Sequence, residues 1–129
     1  MKRTRVEEEI VRIKHMLEVA EIEYKVIGNP ELQEVPIFTE HVLSMCLKEA
    51  ITNIVKHSQA THCEIIIEQV KGEVRISVRD NGVGIGDNLR LSDGNGIRGM
   101  QERLEFVNGH LQIDTNNGTT LSFIVPIVH

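Results

Sequence analysis

Residues 63–84 read CEIIIEQVKGEVRISVRDNGVG. Two β-branched runs, 63–70 and 73–80, are separated only by Lys71-Gly72, the short glycine-bearing link of a β-hairpin. Two strands joined this directly cannot be successive strands of a doubly wound sheet, which needs a helix between them. The second run ends on Asp80, and Asn81-Gly82-Val83-Gly84 follows at once. The stretch therefore predicts both a sheet with an antiparallel core and an acidic, glycine-rich corner at its end.

Outward from that hairpin the periodicity changes. Upstream, Thr39 is a plausible N-cap for a long helix to about Ser58, with Leu43, Leu47, Ala50, Ile51 and Ile54 on its apolar arc. Before it, Tyr24–Ile27 alternates like a short strand, and Gly28-Asn29-Pro30 ends it. Residues 6–22 carry Val6, Ile10, Ile13, Leu17 and Ala20 at helical spacing. Downstream, 81–99 is glycine-rich and aperiodic. Residues 97–107 return to helical spacing and stop at Asn108-Gly109. Two further strands, 110–115 and 119–126, flank the turn Asn116-Asn117-Gly118. The order is α-β-α-β-β-loop-α-β-β, which predicts one α/β (α+β) domain over 1–129. Its architecture is a two-layer sandwich, a mixed five-stranded sheet with three helices on one face.

Composition narrows the function. The chain has 129 residues, 40% of them hydrophobic and 26% charged, as in an ordinary globular domain. Its net charge is −5, aromatics are 3%, and Trp is absent. No basic stripe is evident, so nucleic acid is not expected as a partner. Cys46 and Cys63 stand far apart among apolar residues, which predicts buried free thiols rather than a disulfide or a zinc site. No apolar run is long enough to span a bilayer, and a cytoplasmic location is expected.

Two regions could carry chemistry. Glu49, Asn53, Lys56 and His57 stand at i, i+4, i+7 and i+8 and would share one arc of an ideal helix. A solvated helix face has the same pattern. An acid, an amide, an ammonium and an imidazole together can nevertheless hold Mg²⁺ and a polyphosphate. The second region is the glycine-rich stretch. Asp80 at a strand end can accept a hydrogen bond from a ligand donor, with Gly82 and Gly84 allowing close backbone approach. Gly94-Asn95-Gly96-Ile97-Arg98-Gly99 then opens a helix, exposing N–H groups to an anion. That G-x-G-x-x-G begins no βαβ unit, so a dinucleotide site is not expected.

In this order, Glu49-x-x-x-Asn53-x-x-Lys56-His57, Asp80-x-Gly82-x-Gly84 and Gly94-x-Gly96-x-x-Gly99-Met100 resemble the N, G1 and G2 boxes of the GHKL ATPase superfamily. The Lys56-His57 ending, GIRGMQERLEFVNG (96–109), NGTTLSF (117–123) and LSMCLKEAITNIVKHSQA (43–60) are similar to NarL/DesK-type sensor histidine kinases. The resemblance covers essentially the whole chain and implies the Bergerat, or histidine-kinase ATPase, fold.

It also implies a set of roles. Asn53 would coordinate Mg²⁺. Glu49 would act through the metal's water shell or as a base polarising the incoming histidine. Lys56 and His57 would lie at the phosphates and ribose, and Asp80 would accept the adenine amine. Gly82 and Gly84 would line the adenine pocket, and Thr119 would support it through a water shared with Asp80. Gly94, Gly96 and Gly99, with Ile97 and Met100, complete the nucleotide-binding set, the glycines covering the phosphates. Only nine residues separate Gly84 from Gly94, and none is Phe, so the lid is short.

The resemblance implies an enzyme that binds Mg·ATP and donates the γ-phosphoryl group to an acceptor histidine. None of the six histidines is followed by an acidic residue, the usual mark of the acceptor. The acceptor is therefore expected in a dimerisation domain outside 1–129, and this part alone is expected to be monomeric and not to phosphorylate itself. The parent would be a membrane-bound homodimer serving a response regulator. Rival readings are an anti-sigma-factor-type serine kinase and a non-catalytic nucleotide-binding module.

Overall fold

The computed structural model describes residues 5–82 and 96–127. Helix α1 (Val6–Val19) turns Val6, Ile10, Ile13 and Leu17 inward at i, i+4, i+7 and i+11. Glu7, Glu8 and Glu9 occupy its first turn, where the helix dipole favours carboxylates. The Val6 N–H donates to Glu40 Oε2 at 2.9 Å, so the next helix caps this one. Strand β1 (Glu23–Ile27) follows.

Helix α2 (Ile37–Asn53) starts two residues before the expected Thr39. Pro36, at φ −55°, is its N-cap, and Thr39 is instead buried within the helix. A proline's fixed φ leads into a helix without any side-chain cap, which is why the entry moved upstream. The far end differs too. The α-helical ladder stops at Asn53, and Ile54–Ser58 forms a π turn closed by Gln59 in the left-handed region at φ 58°.

The hairpin is as the sequence predicts: β2 (His62–Val70) and β3 (Glu73–Asp80) pair antiparallel around Lys71-Gly72. Helix α3 (Ile97–Glu105) leads into β4 (His110–Asp114) and β5 (Thr119–Pro126). The sheet order is β1-β2-β3-β5-β4. Only β1 and β2 run parallel, so the sheet is mixed.

Register determines what faces the helices. Ile65, Val78, Leu121 and Ile113 form one cross-strand row; Ile67, Ile76, Phe123 and Leu111 form the next. With the inward stripes of α1, α2 and α3 they make one core of Ile, Val, Leu and Met around Phe123. The opposite face is polar, with Arg75, Ser77, Arg79, Gln112 and Ser122 around a depression of about 730 Å³. Both cysteines are free and buried. Among the described residues no helix is long and apolar enough to cross a membrane.

Candidate nucleotide site

The hydrophobic rows give way to a polar one at the end of the sheet. Cys63 pairs with Asp80, and Asp80 with Thr119, across β2, β3 and β5. Directly opposed residues point to the same face. Alternation along β3 puts Asp80 on the side of Ile76 and Val78, toward the helices. A thiol, a carboxyl and a hydroxyl therefore stand side by side, 2%, 5% and 3% exposed. Burial pushes the Asp80 carboxyl above its ordinary range, and the Gly82 N–H, donating to Oδ1 at 2.8 Å, pulls partly the other way. Among the described residues only the Gly82 N–H donates to this carboxyl, at Oδ1, so the second oxygen is the one a ligand's donor would meet. Thr119 Oγ1 is buried with no hydrogen-bond partner among the described residues. Buried hydroxyls are normally satisfied, so an orphan beside a desolvated acid suits a ligand's polar edge.

Two devices hold this row in place. Asn81 Oδ1 accepts from the backbone N–H of Thr61 at 2.9 Å and of His62 at 3.0 Å. Its Nδ2 donates to Thr61 Oγ1 at 2.9 Å. On the other side, a Cβ added at Gly118 would stand 2.0 Å from the Asp80 carbonyl oxygen. Only glycine lets the β4–β5 turn approach the strand end this closely, and its φ of 94° adds a second reason. A cavity of about 390 Å³ reaches Asp80 and Asn81 from the edge formed by Tyr24, His62 and Cys63.

The second wall is where α2 meets α3. The two helices run antiparallel: Glu49 lies against Gly96, and Cys46 Sγ approaches the Met100 carbonyl at 4.0 Å. Gly96 is the N-cap of α3 in the left-handed region, φ 79°. Asn53, one turn beyond Glu49, is buried at 7% exposure immediately before the π turn. Such turns are frequent at functional sites.

Residues 39–129 match the family described as histidine kinase-, DNA gyrase B- and HSP90-like ATPases. The chain belongs to that family. Sensor histidine kinase DesK of Bacillus subtilis (strain 168) is 46% identical over 126 residues, 98% of this chain and 34% of that protein. Sensor histidine kinase YvfT of the same organism is 38% identical over 128 residues, 99% of this chain and 34% of that protein. The chain thus spans about a third of the length of these curated relatives. The catalytic domain of histidine kinase ThkA, in a nucleotide-free form, superposes with a TM-score of 0.75 at 18% identity, covering 95% of this chain and 89% of that one. The ATP-binding domain of PrrB from Mycobacterium tuberculosis gives 0.72 at 16% identity, covering 98% and 96%. At such identities the likeness is one of fold, and it bears out the expected two-layer sandwich.

Within this ATPase fold the residues singled out from sequence fall into separate groups. Asp80, Gly82 and Thr119 come together at the end of the sheet. Glu49 and Gly96 meet at the helical seam. Lys56 and His57 are exposed on the π turn, so the ideal-helix angles that put them on one arc with Glu49 and Asn53 do not apply. A π turn carries more residues per turn and shifts every later side chain around the axis. Ile97 and Met100 are buried in the hydrophobic core. Gly99 lies within α3 with open space where a Cβ would be. Gly84 and Gly94 lie outside the described residues. Cys63 was expected only as a buried thiol and Asn81 only as part of the turn after Asp80; neither was assigned to the site from sequence. The partner of Cys63 is known only from register, while Asn81 had a local signal in its place directly after Asp80.

Proposed function

We propose that this ATPase domain binds Mg·ATP between the Cys63–Asp80–Thr119 row and the α2–α3 seam, and that it donates the γ-phosphoryl group to a histidine elsewhere in a parent sensor kinase. One observation carries the reading: a desolvated carboxyl, Asp80, stands beside the partnerless hydroxyl of Thr119 at the end of the sheet. Adenine offers an exocyclic N–H₂ donor where guanine offers a carbonyl acceptor. An ionised carboxylate only accepts, so this pair favours ATP over GTP.

The donor set fits the metal as well. Mg²⁺ keeps several waters and takes phosphate oxygens plus one or two protein oxygens, so the Asn53 amide oxygen suffices from this chain. Bound there, the metal would neutralise charge on the transferring phosphoryl group. Lys56 and His57, exposed beyond Asn53, add cationic and hydrogen-bonding groups near the polyphosphate. Gly96 and Gly99 keep the start of α3 free of side chains, so its backbone N–H groups can face phosphate oxygens. Glu49 either acts through the metal's water shell or polarises the acceptor imidazole. In the second role its carboxylate accepts from the ring N–H while the other nitrogen bonds to phosphorus and the bond to the departing ADP oxygen breaks. Positioning and charge stabilisation supply most of such a reaction.

The domain is one unit over 1–129. Alone it binds nucleotide without phosphorylating itself, because no histidine here has the acceptor's context. Its partners are the dimerisation domain of the same membrane-anchored, homodimeric kinase and a response regulator, with this part on the cytoplasmic side. The test is a nucleotide titration at millimolar Mg²⁺, followed by incubation of the full parent kinase with labelled ATP. Acid-labile, alkali-stable label on the parent supports the reading. Acid-stable label on a serine, or no ATP binding at all, refutes it.

A further inference from the structure

A closed set of hydrogen bonds stands behind Asp80, at the end of the sheet. Asn81 Oδ1 accepts from the backbone N–H of Thr61 and of His62, at 2.9 and 3.0 Å. Backbone N–H groups only donate, so the amide oxygen has to lie there and the amide nitrogen on the other side. That Nδ2 donates to Thr61 Oγ1 at 2.9 Å and approaches His62 Nδ1 at 3.3 Å. Thr61 Oγ1 stands 2.8 Å from the same Nδ1. With the amide proton already on its oxygen, Thr61 turns its hydroxyl proton to the imidazole. Both of these neighbours of Nδ1 are donors, so Nδ1 must hold a lone pair. The ring proton is left on Nε2, which donates to Glu23 Oε2 at 2.9 Å.

The set reaches the nucleotide site through the backbone. The Asn81 N–H donates to the His62 carbonyl at 3.3 Å, and the Glu23 N–H to the Thr61 carbonyl at 3.0 Å, so β1, β2 and β3 are tied at one end. Asp80 precedes Asn81, and Gly82, which follows it, donates its N–H to Asp80 Oδ1. The tilt of the Asn81 peptide therefore sets how the Asp80 carboxyl is held. Which imidazole nitrogen carries the proton follows from the bond made by the other. A carboxylate on β1 thus selects the ring form that accepts from Asn81. The His62 and Glu23 side chains are 61% and 81% exposed, so each bond contributes modestly and the effect is one of position.

We propose that His62 is a positioning residue for the adenine-binding acid, and that Glu23 sets the tautomer in which it acts. The inference rests on the nucleotide-binding reading above. An imidazole with Nδ1 unprotonated keeps the Asn81 amide turned toward the strand ends. With the proton on Nδ1, two N–H groups would face each other at 3.3 Å and the amide would swing away. Asp80 then loses the backbone frame that aims its second oxygen at a base amine. Lys25, Glu64 and Arg79 line the same cavity as His62. Arg79 turns to Glu64 and Thr120, which leaves Glu23 as the charge facing the ring among the described residues.

The test titrates the full parent kinase with Mg·ADP, which phosphoryl transfer does not consume, and with purine riboside diphosphate, which lacks the exocyclic amine. His62→Asn keeps an acceptor at the place of Nδ1, and His62→Gln keeps a donor at the place of Nε2. The Asn variant should bind ADP within about twofold of wild type, and the Gln variant about three- to tenfold more weakly, the scale of one neutral hydrogen bond. Glu23→Gln still accepts from Nε2 and should match wild type. Glu23→Lys presents a donor to Nε2, forces the ring proton to Nδ1, and should lose as much as His62→Gln. In the His62→Asn background Glu23→Lys should change nothing. Purine riboside diphosphate, which offers Asp80 no donor, should bind every variant alike. Equal ADP affinity in His62→Asn and His62→Gln would overturn the proposal, as would parallel losses for both nucleotides, the mark of general damage to the fold. A wild-type kinase that binds ADP no better than the amine-free nucleotide would remove the adenine assignment and this inference with it.

Discussion

The Glu49 carboxylate lies against the backbone of Gly96: a Cβ built there would stand 2.6 Å from Glu49 Cδ and 2.7 Å from Oε2. Two elements separated by more than forty positions in sequence thus meet at the single residue type that leaves room for the acid. Gly96 is also the left-handed N-cap of α3. Gly96→Ala should therefore destabilise the fold by about 1–2 kcal/mol, from strain at positive φ together with displacement of Glu49. In a Glu49→Ala background the penalty should shrink to the strain alone. Urea denaturation of the four proteins of this cycle measures both parts, and equal penalties in the two backgrounds would contradict the contact.

The buried Asp80 carboxyl makes stability depend on pH. Its native pKa is raised above the ordinary 3.8, chiefly by desolvation. The native state therefore holds that proton more tightly than the unfolded chain does. Stability contributed by this group is present below 3.8 and is lost as pH rises through the native value. Asp80→Asn should be more stable than wild type at pH 7, with the advantage shrinking toward pH 3.5. The same variant should lose roughly ten- to a hundredfold in ATP affinity, the scale of a charge-assisted hydrogen bond. Denaturation at both pH values and a nucleotide titration at pH 7 check the two halves. A less stable Asn variant at pH 7 would show that the carboxylate is paired.

Thr119 presents the complementary case. Its hydroxyl is buried without a partner among the described residues. Thr119→Val keeps the shape of the side chain and removes the unsatisfied group, so the nucleotide-free fold should be unchanged or more stable by about 1 kcal/mol. ATP binding should weaken by about tenfold. Calorimetric titration beside a thermal melt separates these effects. Loss of stability with unchanged binding would assign the hydroxyl to the fold instead of the ligand.

Both thiols should behave as core atoms. Burial pushes Cys46 and Cys63 up to about 12 from 9.0, with Asp80 and Glu64 adding to the rise at Cys63. At pH 8 a chromogenic disulfide reagent should therefore modify neither thiol faster than the protein unfolds. Above pH 9 the unfolded chain loses these protons first, so stability should decline toward pH 12. Rapid labelling of the native protein at pH 8 would contradict this burial.

The hairpin at Lys71-Gly72, the turn at Asn116-Asn117-Gly118 and the stop at Asn108-Gly109 were legible because turn chemistry is local. The same holds for the inward stripe of α1. Where neighbours outside the segment intervene, local signals mislead: a proline three residues upstream supplied the entry to α2 in place of Thr39, and the helix widened into a π turn after Asn53. Asp80 could be picked out as a strand-end acid before glycines. That it stands between Cys63 and Thr119, desolvated and next to an unpartnered hydroxyl, could not.

By itself the sequence determined the order of elements, the mixed two-layer architecture and the residue types offered to a nucleotide, since periodicity, turn residues and side-chain chemistry act over a few neighbouring positions. Only the tertiary structure decided which of those residues share a wall. Strand register sets the Cys63–Asp80–Thr119 row, and antiparallel packing of α2 on α3 sets the Glu49–Gly96 contact. Register and packing are global solutions to burying one core, and no local stretch of chain encodes them alone.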